Sequence, residues 1–183
     1  MKVVLISCVS KKLSHSAKAR ELYISPLFKY NLDYAQTLNP DKIFILSAKY
    51  GLVDLEQEIE PYNETLNQKS NEEIKLWADK VLKQLKEFVN LKEDNIIFLA
   101  GENYRKFLIP EINNYEIPLK GLGIGKQLGY LKKQQSCVKL HHLFNNMERL
   151  NFPFDEYKIP LNGIYILFEK GEMGHGKSRI VRV

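Results

Sequence analysis

Long apolar runs are missing from this chain. No stretch approaches the ~18 consecutive apolar residues that a bilayer-crossing helix needs, so no membrane partner is expected. Cysteine is scarce. Cys8 and Cys137 are the only two in 183 residues, too few for a disulfide framework, so reduced thiols and a cytoplasmic location are expected. The apolar part of MKVVLISCVSKK is too short for a secretory leader, and no small-residue cleavage site follows it. His141 and His142 are adjacent and so diverge on a helix surface. The other Cys and His residues are far apart, so neither a metal nor a cofactor is expected. There is no G-x-S-x-G elbow, no internal repeat and no low-complexity tract.

Charge is present and unevenly placed. The net charge is +5. Lys2, Lys11, Lys12, Lys18 and Arg20 fall in the first twenty residues with no acid among them, and Lys120, Lys126, Lys132, Lys133 and Lys139 form a second basic block. Asp54, Glu56, Glu58, Glu60 and Glu64 form an acidic segment without a base. If the basic blocks meet in space they make a face that attracts phosphates; otherwise they are an unevenly charged solvated surface.

Apolar runs alternate with helical patterns. KVVLIS (2–7), KIFILSA (42–48) and NIIFLAG (95–101) read as buried strands, and YEIPL (115–119) as a weaker fourth. Residues 8–24 read as irregular. Ser25 is an expected N-cap with Pro26 at the first helical position, and Asn39-Pro40 ends that helix. Ser70 and Glu73 form a capping box ahead of Ile74, Trp77, Val81, Leu85 and Phe88, which predicts a helix over 71–88. ENYRKFLIP reads as a short helix, and KGLGIGKQLGYLKKQ as a glycine-rich turn running into another. The expectation is an α/β domain over residues 1–135: a three-layer, mainly parallel four-stranded sheet with helices on both faces. A separate helix and linker (136–160) and a C-terminal β-hairpin (161–183) follow.

GEMGHGKS, Gly171 to Ser178, matches the phosphate-binding P-loop pattern. A working P-loop needs a helix directly after it. Only five residues follow Ser178, and Ile180, Val181 and Val183 are β-branched. The glycines therefore read as a turn between two strand-like runs, GIYILFEK and RIVRV, and not as an ATP site.

In an open parallel sheet, ligands bind beyond the carboxyl ends of the strands. SCVSKK follows the first strand, SAKYGL the second, AGENY the third and KGLGIGK the fourth. Ser7, Ser10, Lys11 and Lys12 suit an anion, and Cys8 is either a buried small residue or a nucleophile. Ser47, Lys49, Tyr50 and Tyr62 offer phosphate contacts and a stacking surface, with Gly51 marking a positive-φ turn. Glu60 is the candidate acid or base, or else a solvent-facing carboxylate. Gly101 through Tyr104 add the third loop. Gly123 and Lys126, at a glycine-rich helix start, form a candidate phosphate site.

These loop motifs carry a resemblance. SCVSKK…AKARELYISPLF, ILSAKYGLVDLEQEIEPYNETL and IPLKGLGIGKQLGYLK resemble a bacterial and phage domain family of unknown function over about residues 1–135. The YGL…D…I.PY…L run is similar to the peroxide-stress (YaaA) family, which is DNA-associated. That wider group resembles the uracil-DNA-glycosylase-type α/β fold, although this chain has no Gln-Asp-Pro-Tyr loop. Gly163-Ile164-Tyr165 and the strand-like runs around it resemble the opening hairpin of GIY-YIG nuclease domains, whose later arginine and glutamate are absent here. The resemblance implies a nucleic-acid or nucleotide partner. If catalytic, the domain is expected to act at a base or glycosidic bond. The alternatives are the non-cutting targeting module of a longer GIY-YIG nuclease, and a stress protein that works through protein partners.

Overall fold

The computed structural model describes residues 1–146, with side chains through Ser136, and the backbone strands Leu167–Glu169 and Arg179–Arg182. The chain divides into two units, Met1–Gln135 and Ser136–Val183.

In the first unit, strand β1 spans Lys2–Ser7. The next elements are the short β2 (Ala17–Lys18), α1 (Ala19–Leu22) and α2 (Pro26–Thr37). Ser25 caps α2 by accepting from the Phe28 amide, with Pro26 opening the first turn. Strands β3 (Lys42–Ser47), β4 (Gly51–Asp54) and β5 (Glu58–Ile59) lead to α3 (Asn71–Leu85). The Ser70–Glu73 capping box starts α3, and Ile74, Trp77, Ala78, Val81, Leu82 and Leu85 are its buried face. Strands β6 (Asn95–Leu99) and β7 (Asn114–Glu116) follow, and then helix α4, Ile124–Asn146, which belongs to the first unit as far as Gln135.

The main sheet has five strands in the order β4-β3-β1-β6-β7. Strands β3, β1, β6 and β7 are parallel. The edge strand β4 runs antiparallel to β3, pairing Ser47 with Gly51 through to Phe44 with Asp54. Val3, Val4, Leu5 and Ile6 of β1 are all fully buried. Successive strand residues face opposite ways, so both faces of the central strand are covered. No described helix is long and apolar enough to cross a membrane.

Three expectations need correction. The sheet has five strands, not four, because the three residues 48–50 reverse the chain and let GLVD pair on the open edge of β3. Residues 8–24 are not merely irregular: Ala17 and Lys18 pair with Ile59 and Glu58, and α1 follows. A second helix does not start near residue 136, because α4 runs unbroken through Gly125 and Gly129 to Asn146. The ENYRKFLIP stretch makes two 3-10 turns, Glu102–Tyr104 and Ile109–Glu111.

In the second unit, β8 (Leu167–Glu169) and β9 (Arg179–Arg182) pair antiparallel. Gly163–Tyr165 and Gly171–Ser178, read above as a nuclease motif and a turn, lie outside the described residues.

Candidate functional site

The strand order reverses direction at β1, with β3 on one side and β6 on the other. This is the topological switch at which a crevice opens beyond the strand ends. Register Ser7↔Leu46 and Ile6↔Leu99 aligns the three carboxyl ends. Cys8 and Tyr104 from the loops after β1 and β6, and Ser47 at the last position of β3, therefore converge there.

They meet in one buried cluster, two hydrogen-bonded groups joined by the Trp77–Tyr104 ring contact. The Tyr50 amide donates to Ser47 Oγ at 3.1 Å, and Ser47 Oγ donates to Tyr62 Oη at 2.8 Å. Tyr62 and Tyr23 share a hydroxyl contact of 2.8 Å. The Leu66 amide donates to Tyr104 Oη at 3.4 Å, and Tyr104 Oη lies 3.3 Å from Cys8 Sγ. Trp77 Nε1 donates to the Ser47 carbonyl at 2.8 Å, and its ring stands edge-on to Tyr104 at 5.6 Å. Cys8, Tyr23, Ser47, Trp77 and Tyr104 are buried. With so little water, burial pushes the Tyr62, Tyr23 and Tyr104 phenols well above their ordinary value, and the neighbouring Cys8 adds to each rise.

The segment from Glu60 to Ser70 closes the crevice. Its Tyr62 is tied to Ser47 at the end of β3, and its Leu66 and Asn67 are tied to Tyr104 and Asn103 beyond β6. It therefore crosses the end of β1, over Cys8. The crevice is filled with the protein's own rings. A depression of about 430 Å³ lies elsewhere, lined by Lys86, Val89, Asn90, Leu91 and Lys92 before β6, and contains none of these residues.

On the outer side, cations lie against the same rings. Lys12 Nζ is 4.2 Å from the Tyr62 centroid and 5.6 Å from that of Tyr23. Half-burial lowers the Lys12 pKa, and Cys8 partly opposes this. Tyr50 meets Tyr62 edge-to-face at 5.5 Å, and Lys49 Nζ is 5.0 Å from the Tyr50 centroid. Lys12, Tyr62, Tyr50 and Lys49 thus form one continuous cation–aromatic row.

The other expected residues fall around this row. Ser7 ends β1, and Ser10 and Lys11 are exposed beside Lys12, whose Nζ reaches the Ser10 carbonyl at 3.5 Å. Gly51 has φ +83°, as its turn requires. The Glu60 carbonyl accepts from Tyr50 Oη at 3.4 Å, while its carboxylate is exposed. Gly101 precedes the 3-10 turn that carries Tyr104. Gly123 and Lys126 are exposed at the start of α4, and no hydrogen bond or ring contact joins them to the cluster. Among the described residues, no three His, Cys, Asp or Glu gather to hold a metal.

Sequence reasoning missed Tyr23 and Trp77. Trp77 lies on the apolar stripe of α3 and reads as core; Tyr23 lies in a stretch without periodicity. Only the long-range pairing brings either one to Ser47.

The fold and cluster define a mixed α/β domain with a polar aromatic knot at the carboxyl ends of a mostly parallel sheet. The chain belongs to a family of unknown function, DUF6884, whose match covers residues 3–133. No curated protein matches the chain.

Proposed function

We propose that this domain binds a nucleotide or a nucleic-acid segment at the carboxyl ends of β1, β3 and β6. The observation that carries the reading is the Lys12–Tyr62–Tyr50–Lys49 row, in which two cations flank two touching rings. Ammonium groups attract phosphate, and partly exposed tyrosine rings accept a base face. Lys11, exposed beside Lys12, adds to the attraction. The reading accords with the resemblance to uracil-DNA-glycosylase-type and peroxide-stress domains. The exposed Glu60 carboxylate is available as an acid or base, and Cys8 lies beneath the rings.

Trp77 is the one tryptophan in the chain and is bonded to Ser47 directly under the row. Its emission is therefore a local reporter. Titration with each of the common nucleoside monophosphates is expected to shift Trp77 fluorescence saturably for at least one of them. Lys12→Ala combined with Lys49→Ala is expected to weaken that binding at least ten-fold. No saturable change with any nucleotide, backed by calorimetry, would refute the reading.

A further inference from the structure

Three loops leave the sheet at its carboxyl edge, and each sets a lysine against an aromatic ring. After β3, Lys49 lies 5.0 Å from Tyr50; after β1, Lys12 lies 4.2 Å from Tyr62; after β6, Lys106 lies 5.2 Å from Phe107. None of the three lysines is in an ion pair among the described residues. Tyr50, Tyr62 and Phe107 are all partly exposed. The Lys106 ammonium donates to Asn71 Oδ1 at 2.6 Å. Asn71 opens α3 six residues ahead of Trp77, which meets the end of β3. Lys106 therefore sits beyond the strand ends, on the same side as Lys49 and Lys12. With the sheet order β3-β1-β6 and about 4.8 Å between strands, the three pairs follow one another along roughly 10 Å of edge before side-chain reach is added.

Charge at the carboxyl edge of the sheet points the same way. The loops and the Glu60–Ser70 segment that lie there carry Lys11, Lys12, Lys49, Lys69, Arg105, Lys106 and Lys120 against Glu60, Glu64 and Glu102. At the opposite edge Lys2, Lys42, Lys86 and Lys92 balance Asp41, Glu87, Glu93 and Glu111, and Asp94 is paired to the N-terminal ammonium. The acidic segment after β4 is partly neutralised, with Glu56 paired to Lys18 and Arg20 and Glu64 paired to Lys69. Glu58 and Glu60 are exposed and make no ion pair among the described residues.

We propose that this edge is a track for a single strand of nucleic acid about three nucleotides long. It deepens the reading above and rests on it. Phosphates lie beside Lys49, Lys12 and Lys106, and bases lie against Tyr50, Tyr62 and Phe107. A duplex offers phosphates but hides its base faces, and a lipid headgroup offers no face to stack; the alternation of cation and ring selects an unpaired strand.

The test is fluorescence anisotropy with labelled oligothymidylates of one to ten nucleotides, at 50 and 200 mM salt. Affinity is expected to climb up to about three nucleotides and then level off. Three phosphate contacts give a slope of log K against log salt of about −2, or roughly a 16-fold loss between the two salts. Lys106→Gln is expected to reduce that slope to about −1.4. Phe107→Leu keeps apolar bulk, removes the stacking ring, and is expected to weaken trinucleotide binding at least five-fold. Circular dichroism confirms that both variants are folded. A mononucleotide bound as tightly as a pentanucleotide would overturn the track and leave the nucleotide site standing. Binding of duplex equal to single strand, or competition by phosphatidylserine vesicles, would overturn the choice of partner. Failure of every length, the mononucleotide included, would remove both readings together.

Discussion

Replacing Tyr62 by phenylalanine removes one oxygen from the centre of the cluster and leaves the ring in place. Two hydrogen bonds go with it, the one from Ser47 Oγ and the one shared with Tyr23, both 2.8 Å. Ser47 and Tyr23 are fully buried, so water does not replace the lost partner. A buried polar group left unpaired costs about 1–3 kcal/mol. Ser47 keeps the Tyr50 amide and also lies within reach of the Tyr23 hydroxyl, so the two partly re-pair. The net loss is that of about one group, ~2 kcal/mol. With a urea dependence of about 2 kcal/mol per molar for a chain of this size, the unfolding midpoint falls by about 1 M. Tyr23→Phe in the Tyr62→Phe background then costs less than Tyr23→Phe alone, because its partner is already gone; a coupling of about 1 kcal/mol is expected. Alkaline pH gives a second readout. Folding raises the phenol pKa of Tyr62, Tyr23 and Tyr104 above the ordinary value of 10.0. A raised folded value means that the contribution is whole below pH 10 and is lost as pH climbs from there toward the folded values. Each phenol steepens that loss by at most about 1.4 kcal/mol per pH unit. Tyr62→Phe is therefore less stable at neutral pH and also loses stability more gently above pH 10. A midpoint shift under about 0.3 M, or phenylalanine substitutions that simply add, would refute the buried network.

Gly51→Ala is expected to cost about 1–3 kcal/mol: φ is +83°, and a Cβ there would collide with Gln84 Oε1, the same oxygen that accepts from the Leu52 amide. The same change in a Gln84→Ala background should cost less, and equal costs in urea melts would show that the backbone angle alone is responsible. Asn31→Leu on α2 should raise stability by about 1 kcal/mol, because Asn31 Oδ1 is buried without a partner among the described residues. A fall in its thermal midpoint would show that the amide is satisfied, for example by a buried water.

The fold was largely legible because its strands are buried on both faces. Val3 to Ile6 and Phe44 to Leu46 read as continuous apolar runs, and only a covered parallel strand needs that pattern. Strand β4 was not legible for the converse reason. GLVD has two apolar residues, and its pairing depends on a reversal at residues 48–50 that periodicity does not see. At the site, Ser47, Tyr50, Tyr62, Lys12 and Lys49 were within reach because each follows a strand or adjoins the acidic segment. Trp77 was not, because its bond to Ser47 spans 30 positions and its place on α3 looks like that of Val81. Lys106 escaped because nothing local distinguishes it; the sheet edge to which it belongs is a property of topology. Gly123 and Lys126 stand at the amino end of α4, at the same edge but not bonded to the cluster, and a glycine-rich helix start does not show in sequence which side chains it will meet.

Topology also makes the charge pattern informative. Helices α2 and α4 follow the parallel strands β1 and β7, and α3 meets the end of β3 through Trp77 in its second turn, so their amino ends open on the carboxyl edge. Aligned peptide dipoles place about half a positive charge at each of those ends. Stability alone would set carboxylates there and cations at the far edge. Within α3 this is what occurs, with Glu72 and Glu73 in the first turn. The loops at the carboxyl edge do the reverse. Lys11, Lys12, Lys49, Lys106 and Lys120 crowd the edge that the helix ends already make positive, whereas at the other edge Asp41, Glu87, Glu93 and Glu111 are matched by Lys2, Lys42, Lys86 and Lys92. The first arrangement opposes the dipoles, and no described carboxylate pairs with those five lysines to offset the repulsion. An anion drawn from solution relieves it, and helix ends and lysines then act on that anion with the same sign. An arrangement that weakens the free domain and strengthens the occupied one is expected of a binding edge, and a purely structural surface would have no use for it.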